Sequence, residues 1–438
     1  MKRNAPILCL ALMLLTVPSF AQNTDIESLS GLPFNFANPG ARSLGMGGAF
    51  LGLADDASAA EANPAGLTVL TKPEISIEGR NFETRQTFNT TGTFPDLETQ
   101  TFNAFSRAAE LSFASVVIPA GNFALAAYYH QPLRYKNSVD AIFTTQPLIN
   151  FFLGPNGPVT RAQCRTTAGC LEYNLNPFYT EVDIDMKTLG VSGAMKFGPL
   201  SVGLGARYQQ LDEGAFTFRT SPRDPTDLLS IVAQQADKEK DVTFVGGFKY
   251  NFGEKFSIGG SYKQGAEFET QIFTTDAQLN LLPFADSTFH VPDVAGLGVS
   301  LKPVQWLTIN GDAVQVTYSN LVDNFVSVLT ENEAVFNSFE AEDVTEYHVG
   351  AEVVLPLPAS FAVLLRGGWW MDPAHAVTYR GPLNSVDGVA ESILFRGSED
   401  AEHYSVGIGL AWPRFQIDAA YDTSDSFKVG SISAVTRF

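Results

Sequence analysis

From about Ile75 to Phe438 the chain is written in period two, one short segment after another. In LSVGLGARYQQL, Val202, Leu204, Ala206 and Tyr208 fall on one face, and Ser201, Gly203, Gly205, Arg207 and Gln209 on the other. FSIGGSYKQG sets Phe256, Ile258 and Tyr262 against Ser257, Ser261 and Lys263, and YHVGAEVVL sets Tyr347, Val349, Ala351 and Val353 against His348, Gly350 and Glu352. Such alternation specifies strands with one apolar face. A soluble sandwich buries that face, whereas a transmembrane barrel turns it towards lipid. A single strand fits both, so the connections must decide.

Short turns at Pro119-Ala120-Gly121, Gly198-Pro199, Gly253-Glu254, Lys302-Pro303, Leu355 to Ser360 and Pro413-Arg414 alternate with long polar connections. The long ones run to roughly 15 to 45 residues, the pattern of periplasmic turns and external loops in outer-membrane barrels. Compact sandwiches rarely carry so many long loops in every second position. Fourteen strands are expected, beginning near Ile75, Arg107, Phe123, Asp183, Leu200, Asp241, Lys255, Phe289, Gln305, Val344, Phe361, Glu402, Phe415 and Lys428. The expected fold is all-β: a 14-stranded antiparallel transmembrane barrel with an N-terminal lumenal hatch. An even count closes the ring with both ends of the chain on the periplasmic side. The 34 Phe, 13 Tyr and 37 Gly of the 438 residues suit such a barrel. Tyr250, Trp306, Trp369 and Trp412 near strand ends fit interfacial girdles. No apolar run approaches the ~18 residues of a spanning helix; the longest, Val353 to Leu365, is broken by Pro356 and Pro358.

Residues 1–21 read as a signal peptide, with Lys2 and Arg3 before the apolar Ile7 to Val17 and a Ser19-Phe20-Ala21 cleavage site. The implied destination is the cell outer membrane of a Gram-negative-type bacterium. A formal net charge of −19 argues against nucleic-acid partners, whose phosphates it would repel. Cys164 and Cys170, in RAQCRTTAGCLEYN, suit a structural disulfide in an oxidising compartment; a two-Cys metal site would need further ligands nearby.

Residues 22–70 differ from the rest. NPGARSLGMGGAFLGLADDASAAEANPAGL, 38 to 67, is small, Gly- and Ala-rich and full of turns, too short to form its own core. A barrel lumen would supply one, giving a hatch over 22–70 and a barrel with long external loops over 71–438. Asp55 and Asp56 suit a helix N-terminus, Ala57 to Ala62 favours helix, and Pro64 bars Asn63 from the α region and ends it.

This segment resembles the plug of the long-chain fatty-acid transporter family of outer-membrane proteins (FadL-like, including toluene-uptake porins), which carries Asn-Pro-Ala after a Gly/Ala-rich stretch; Asn63-Pro64-Ala65 matches it. VPDVAGLGVSLKPVQWLTINGDAVQVTYSNL, 291 to 321, is similar to that family's Pro-Asp/Glu strand and hairpin, and YHVGAEV, AVLLRGGWWMDPAH and the C-terminal strands continue the likeness. The resemblance implies capture of a hydrophobic ligand at an external groove, an internal pocket beside the hatch, and passive release through a wall opening. Asn63, Pro64 and Ala65 are then gate residues. The implied partners are hydrophobic small molecules such as long-chain fatty acids and outer-membrane lipid, for a monomeric chain. Related barrels of secretion systems share a similar opening motif, so a non-transporting partner in secretion or surface attachment is the alternative; an uninterrupted wall would favour it.

A ligand carboxylate would want a lumenal cation, and strand parity nominates Arg207, Lys249, Lys263 and Arg366. Such side chains also pair routinely with lumenal carboxylates, here Asp312, Glu346 or Glu352. DPTDLLSIVAQQADKEK, 224 to 240, reads as an amphipathic helix capped by Asp224 with Pro225 in its first turn. DAIFTTQPLINFFLG and DAQLNLLPFADS put Leu, Ile and Phe in external loops, for a greasy ligand or for mutual packing. No catalysis, cofactor or metal site is expected. GMGGAF lacks the third glycine of a dinucleotide loop, and no nucleophile elbow or His-Glu-x-x-His occurs. His130, His290, His348, His375 and His403 are scattered singly. A barrel-embedded lipid hydrolase would need a Ser/His pair on the outer wall.

Overall fold

The computed structural model describes residues 34, 36–89, 101–140, 149–175, 178–220, 228–234, 239–275, 281–323, 338–358, 360–385, 388–389, 391–392, 395 and 397–438. The signal-peptide expectation therefore lies outside the described residues.

Fourteen wall strands follow in chain order: β1 Glu74–Asn89, β2 Thr101–Ala120, β3 Phe123–Asp140, β4 Phe178–Phe197, β5 Leu200–Thr220, β6 Glu239–Phe252 and β7 Phe256–Lys263. The ring continues through β8 Val294–Val304, β9 Leu307–Val316, β10 Val344–Leu357, β11 Phe361–Asp372, β12 Ala401–Ala411, β13 Phe415–Thr423 and β14 Phe427–Arg437. Each pairs antiparallel with its neighbours in sequence, and β1 pairs with β14 from Glu74–Arg437 to Thr84–Phe427, closing the barrel.

The alternation settles which way the apolar face points. Leu204 is 74% and Ile432 65% exposed, and Val191, Leu297 and Val406 behave alike, while Ser201, Gln209, Ser431 and Asp418 are buried inside. A wall with its greasy residues outside and its polar ones inside is stable only in lipid. The chain is a multi-pass outer-membrane barrel. Exposed Phe197, Phe252, Phe256, Trp306, Trp412 and Phe415 ring the short-turn end. Tyr208, Tyr262, Tyr347, Tyr404 and Tyr421 face out on the other side of the apolar band. These are interfacial girdles, one of aromatic hydrocarbon and indole, one of phenol. Of the four aromatics the sequence nominates, Trp306 and Trp412 are exposed in the first ring and Tyr250 and Trp369 are half-buried; the five tyrosines add to that set.

Short turns place Gly121, Gly198 and Gly253 at φ near +65°, the left-handed region that favours glycine. One expected turn shifts: Lys302 and Pro303 belong to β8, and the reversal falls at Gln305-Trp306. The amphipathic helix expected over 224–240 is also corrected. Residues 224–227 and 235–238 lie outside the described set, but Leu228–Gln234 is a strand. It pairs with β5 and with Glu267–Thr275, because the open edge of β5 above Leu211 offers a ladder to Ile231 and Val232. Leu281–His290 extends the same wall by pairing with Glu267–Thr275. In the β3–β4 connection Ile149–Gly154 centres a small sheet with Gly157–Val159 and Leu171–Leu175. Cys164 and Cys170 are joined beside it, with Cα atoms 5.3 Å apart.

Candidate functional site

Residues 38 to 70 lie inside the barrel, nearly all buried. Their regular structure is brief: α1 Ala41–Leu44, α2 Ala59–Ala62 and a 3-10 turn Pro64–Val69. The expected Ala57–Ala62 helix shortens to one turn, since Asp56 accepts from Ser58 N and Ser58 becomes the cap residue. A segment with so little internal hydrogen bonding needs partners for its buried backbone. The wall supplies them from its polar face. Asp312 accepts from Phe50 N (2.6 Å) and Leu51 N (2.8 Å), and Ser257 and Ser192 donate to the carbonyls of Gly52 and Ala60, each at 2.8 Å. Arg42 spans Glu352 of β10 and Asp55 of its own segment.

Asn63 ties the Asn-Pro-Ala turn to the wall. Its backbone is extended (φ −154°, ψ 96°), as the following Pro64 requires. Oδ1 accepts from Ala65 N, while Nδ2 donates to Leu51 O (3.1 Å) and to Phe248 O on β6 (3.0 Å). The amide thus stitches two turns of the segment to one strand.

Two residues earlier on α2, Glu61 points at three strands. Its Oε1 lies 3.5 Å from Arg207 Nη2 on β5, 3.5 Å from Lys263 Nζ on β7 and 3.6 Å from His130 Nδ1 on β3. Burial alone would raise this carboxyl's pKa, but Arg207 and Lys263 outweigh it and hold the group well below the ordinary carboxylate value. The arrangement is incompletely satisfied: Glu61 Oε2, both His130 ring nitrogens, Tyr128 Oη and Arg207 Nε have no hydrogen-bond partner among the described residues.

Towards the external end the lumen face of these strands becomes apolar, on β5 after Gln209, which donates to Thr243 Oγ1. Past His130 come Leu133 and Tyr135, past Arg207 comes Leu211, and past Lys263 come Ala266 and Phe268. Ile184, Met186, Phe289 and Val291 complete this cluster, and Phe34 and Phe36 of the N-terminal segment pack against it. The lumen here has a cationic floor under an apolar upper part.

The wall opens beside that floor. β2 and β3 pair from Ala120–Phe123 to Phe113–His130 and then part, although β2 runs on to Thr101 against β1 and β3 runs on to Asp140 against β4. Eight residue pairs at ~3.4 Å rise and ~40° tilt put the start of the gap about 20 Å above the turn, near the outer margin of the apolar band. Its cause is local. Pro132 has no N–H to give a ladder, and the register of β3 slips between His130 and Leu133. On the other bank β1–β2 slips at Ser112, whose hydroxyl bonds Glu78 O.

Of the four nominated cations, Arg207 and Lys263 meet at this floor. Lys249 is elsewhere, donating to the carbonyl of Leu53. Arg366 lies between Glu352 and Asp418, 2.7 Å from each, inside the β10–β13 wall. Of the expected counter-ions, Glu352 pairs with Arg42 and Arg366, Asp312 serves segment N–H groups, and Glu346 lies 3.1 Å from His348 Nε2. Sequence reasoning missed Glu61, His130, Pro132 and the Phe34/Phe36 pair. The Gln131-Pro132 break in an apolar strand was the signal for the gap. Ser405 and His403 do meet, both on Asp422, yet they face the lumen rather than the outer wall, and the hydroxyl donates to the carboxylate rather than to the imidazole.

No family model and no curated relative matches the sequence. Solved structures do. A Pseudomonas aeruginosa FadL homologue aligns with 92% of this chain and 99% of its own, at 14% identity and a TM-score of 0.59. The Ralstonia pickettii toluene transporter TbuX (15%, TM-score 0.55) and the CymD monoaromatic hydrocarbon channel (15%, 0.52) each align over 92% of this chain and 99% of theirs. At such identity the likeness is one of architecture. The chain has the fold of the FadL-like outer-membrane channels.

Proposed function

We propose that this protein lets hydrophobic small molecules, with long-chain fatty acids as the leading class, cross the outer membrane passively. The carrying observation is the parting of β2 and β3 directly above His130, a residue that also borders the Glu61 floor. A solute held in the apolar upper lumen has an exit sideways at the margin of the lipid band, without passing along the barrel axis. Each buried methylene is worth about 0.8 kcal/mol, so a chain of many methylenes gains most by avoiding water throughout. Arg207 and Lys263 below the apolar cluster suit a carboxylate head with its tail outward. Phe34 and Phe36 would give way to that tail, and the turn Asn63-Pro64-Ala65 would act as the gate. The neighbours named for toluene and monoaromatic hydrocarbons support the broader hydrophobic class.

The test is uptake of radiolabelled oleate by cells lacking their own outer-membrane fatty-acid transporter, at matched surface levels of the wild type and of Asn63→Ala/Pro64→Ala. Uptake by the wild type and its loss in the variant are expected. If the wild type does no better than an empty vector, oleate is wrong and toluene is tried next. Failure of both would move the assignment to a partner protein for secretion or surface attachment.

A further inference from the structure

Glu61 sits where the head group of an acidic ligand would sit. It is 1% exposed, carried by a four-residue helix of the inner segment, and held by Arg207 and Lys263 through a single oxygen. Contacts of 3.5 Å on one oxygen, with the other oxygen lacking any partner among the described residues, make a poor permanent ion pair. Buried charges are stable only when their remaining lone pairs are satisfied. Arg207 Nε also lacks a partner among the described residues. Meanwhile α2 is otherwise tied to this side of the wall by the bond from Ser192 Oγ to Ala60 O.

We propose that the Glu61 carboxylate is an internal stand-in for the ligand's carboxylate, and that exchange of one for the other releases α2 from beside the edge of the wall gap and, through α2, loosens the following turn at Asn63 from β6. The idea rests on the uptake reading and narrows it to acids. A ligand carboxylate reaching Arg207 and Lys263 replaces Glu61 without changing the charge at the floor. The displaced Glu61 leaves His130, the last residue of β3 paired with β2, so arrival of the head group is sensed where the wall parts. A neutral ligand of the same length has nothing to offer the two cations and leaves Glu61 in place. A competitor occupying a site about 90% of the time weakens apparent binding about tenfold, which is the size of effect to seek.

The experiment uses the folded full-length protein in detergent, with oleate and oleyl alcohol as probes, titrated calorimetrically against wild type and Glu61→Gln. Oleate should bind the variant about tenfold more tightly than the wild type, with oleyl alcohol bound equally by both. In the wild type alone, oleate should speed hydrogen exchange over residues 57–66, and oleyl alcohol should not; this arm decides if the variant does not fold. Equal oleate affinity in the two proteins, or unchanged exchange with oleate bound, overturns the proposal. Binding of oleyl alcohol but not oleate would overturn it while leaving hydrophobic uptake intact. Binding of neither probe would remove the uptake reading as well.

Discussion

Arg134 on β3 reaches Glu110 on β2 across the parted wall, its Nε 3.5 Å from the carboxylate, while the same guanidinium holds Asp183 on β4. Above Phe113 and His130 no ladder joins these strands among the described residues, and this ion pair spans them. With Glu110 43% exposed, the pair contributes at most about 1 kcal/mol to folding. Its consequence is therefore on width rather than stability. Glu110→Ala or Arg134→Ala should admit bulkier hydrophobic solutes several-fold faster, with a melting temperature close to wild type. Arg134→Lys, which keeps a cation between Glu110 and Asp183, should retain the original size dependence. Uptake of a graded series of alkyl and branched acids checks this, and identical size profiles in all variants would refute it.

Asp312 tests how the inner segment is held. Its Oδ2 accepts from two consecutive backbone N–H groups, Phe50 and Leu51. Asp312→Ala leaves two buried donors unpaired, at about 1–3 kcal/mol each. We expect a lower thermal transition and faster hydrogen exchange over residues 48–53, with the barrel still closed on a heat-modifiability gel. Unchanged exchange there would show that the carboxylate is dispensable.

Acid should loosen the segment through Glu61. Its folded-state pKa lies below the unfolded value near 4.5, because Arg207 and Lys263 overcome the effect of burial. A depressed carboxylate pKa contributes stability that is complete above the unfolded pKa and is lost as pH falls through the folded one. Protection factors over residues 57–66, which remove the intrinsic pH dependence of amide exchange, should therefore be flat between pH 7 and about 5 and fall below about 4.5. Glu61→Gln should remove that dependence. A variant that keeps the same acid profile would assign the effect to another group.

Gly247 on β6 faces Asn63, and a Cβ placed there would overlap the Asn63 amide. Gly247→Ala should cost about 1–3 kcal/mol as an overpacking substitution, appearing as a lower thermal transition and a displaced Asn63 turn. Gly253→Ala, in a turn with nothing near its Cβ, would be costly for the different reason of φ +70°. Crystal structures of the two variants separate the cases: movement of the inner segment in the first, and of the turn alone in the second.

Strand parity was legible because it is a property of neighbouring residues. The inward placement of Arg207, Lys263 and Glu352 follows from the alternation around them, and Arg366 meets Glu352 because the two stand opposite in the β10–β11 register. Partners across the lumen were not legible. Lys249 is matched to a backbone carbonyl of the inner segment, which no pairing of charges along the chain reveals. Glu61 looked like one more helix-favouring residue, since only the path of the segment brings β3, β5 and β7 around it. Residues 228–234 were misread because their apolar spacing fits a helix, and an open strand edge overrode that preference.

For anyone wishing to re-bore this pore, the close fit around the inner segment dictates where to begin. Gly203, Gly247 and Gly350 are positions where even a methyl group would run into Ala65, Asn63 or Met46. Mutational libraries confined to that part of the wall would mostly return proteins with a dislodged core piece. Diversity placed at Tyr135, Met186, Leu211 and Phe268 leaves that mould intact and reshapes the volume a guest would fill.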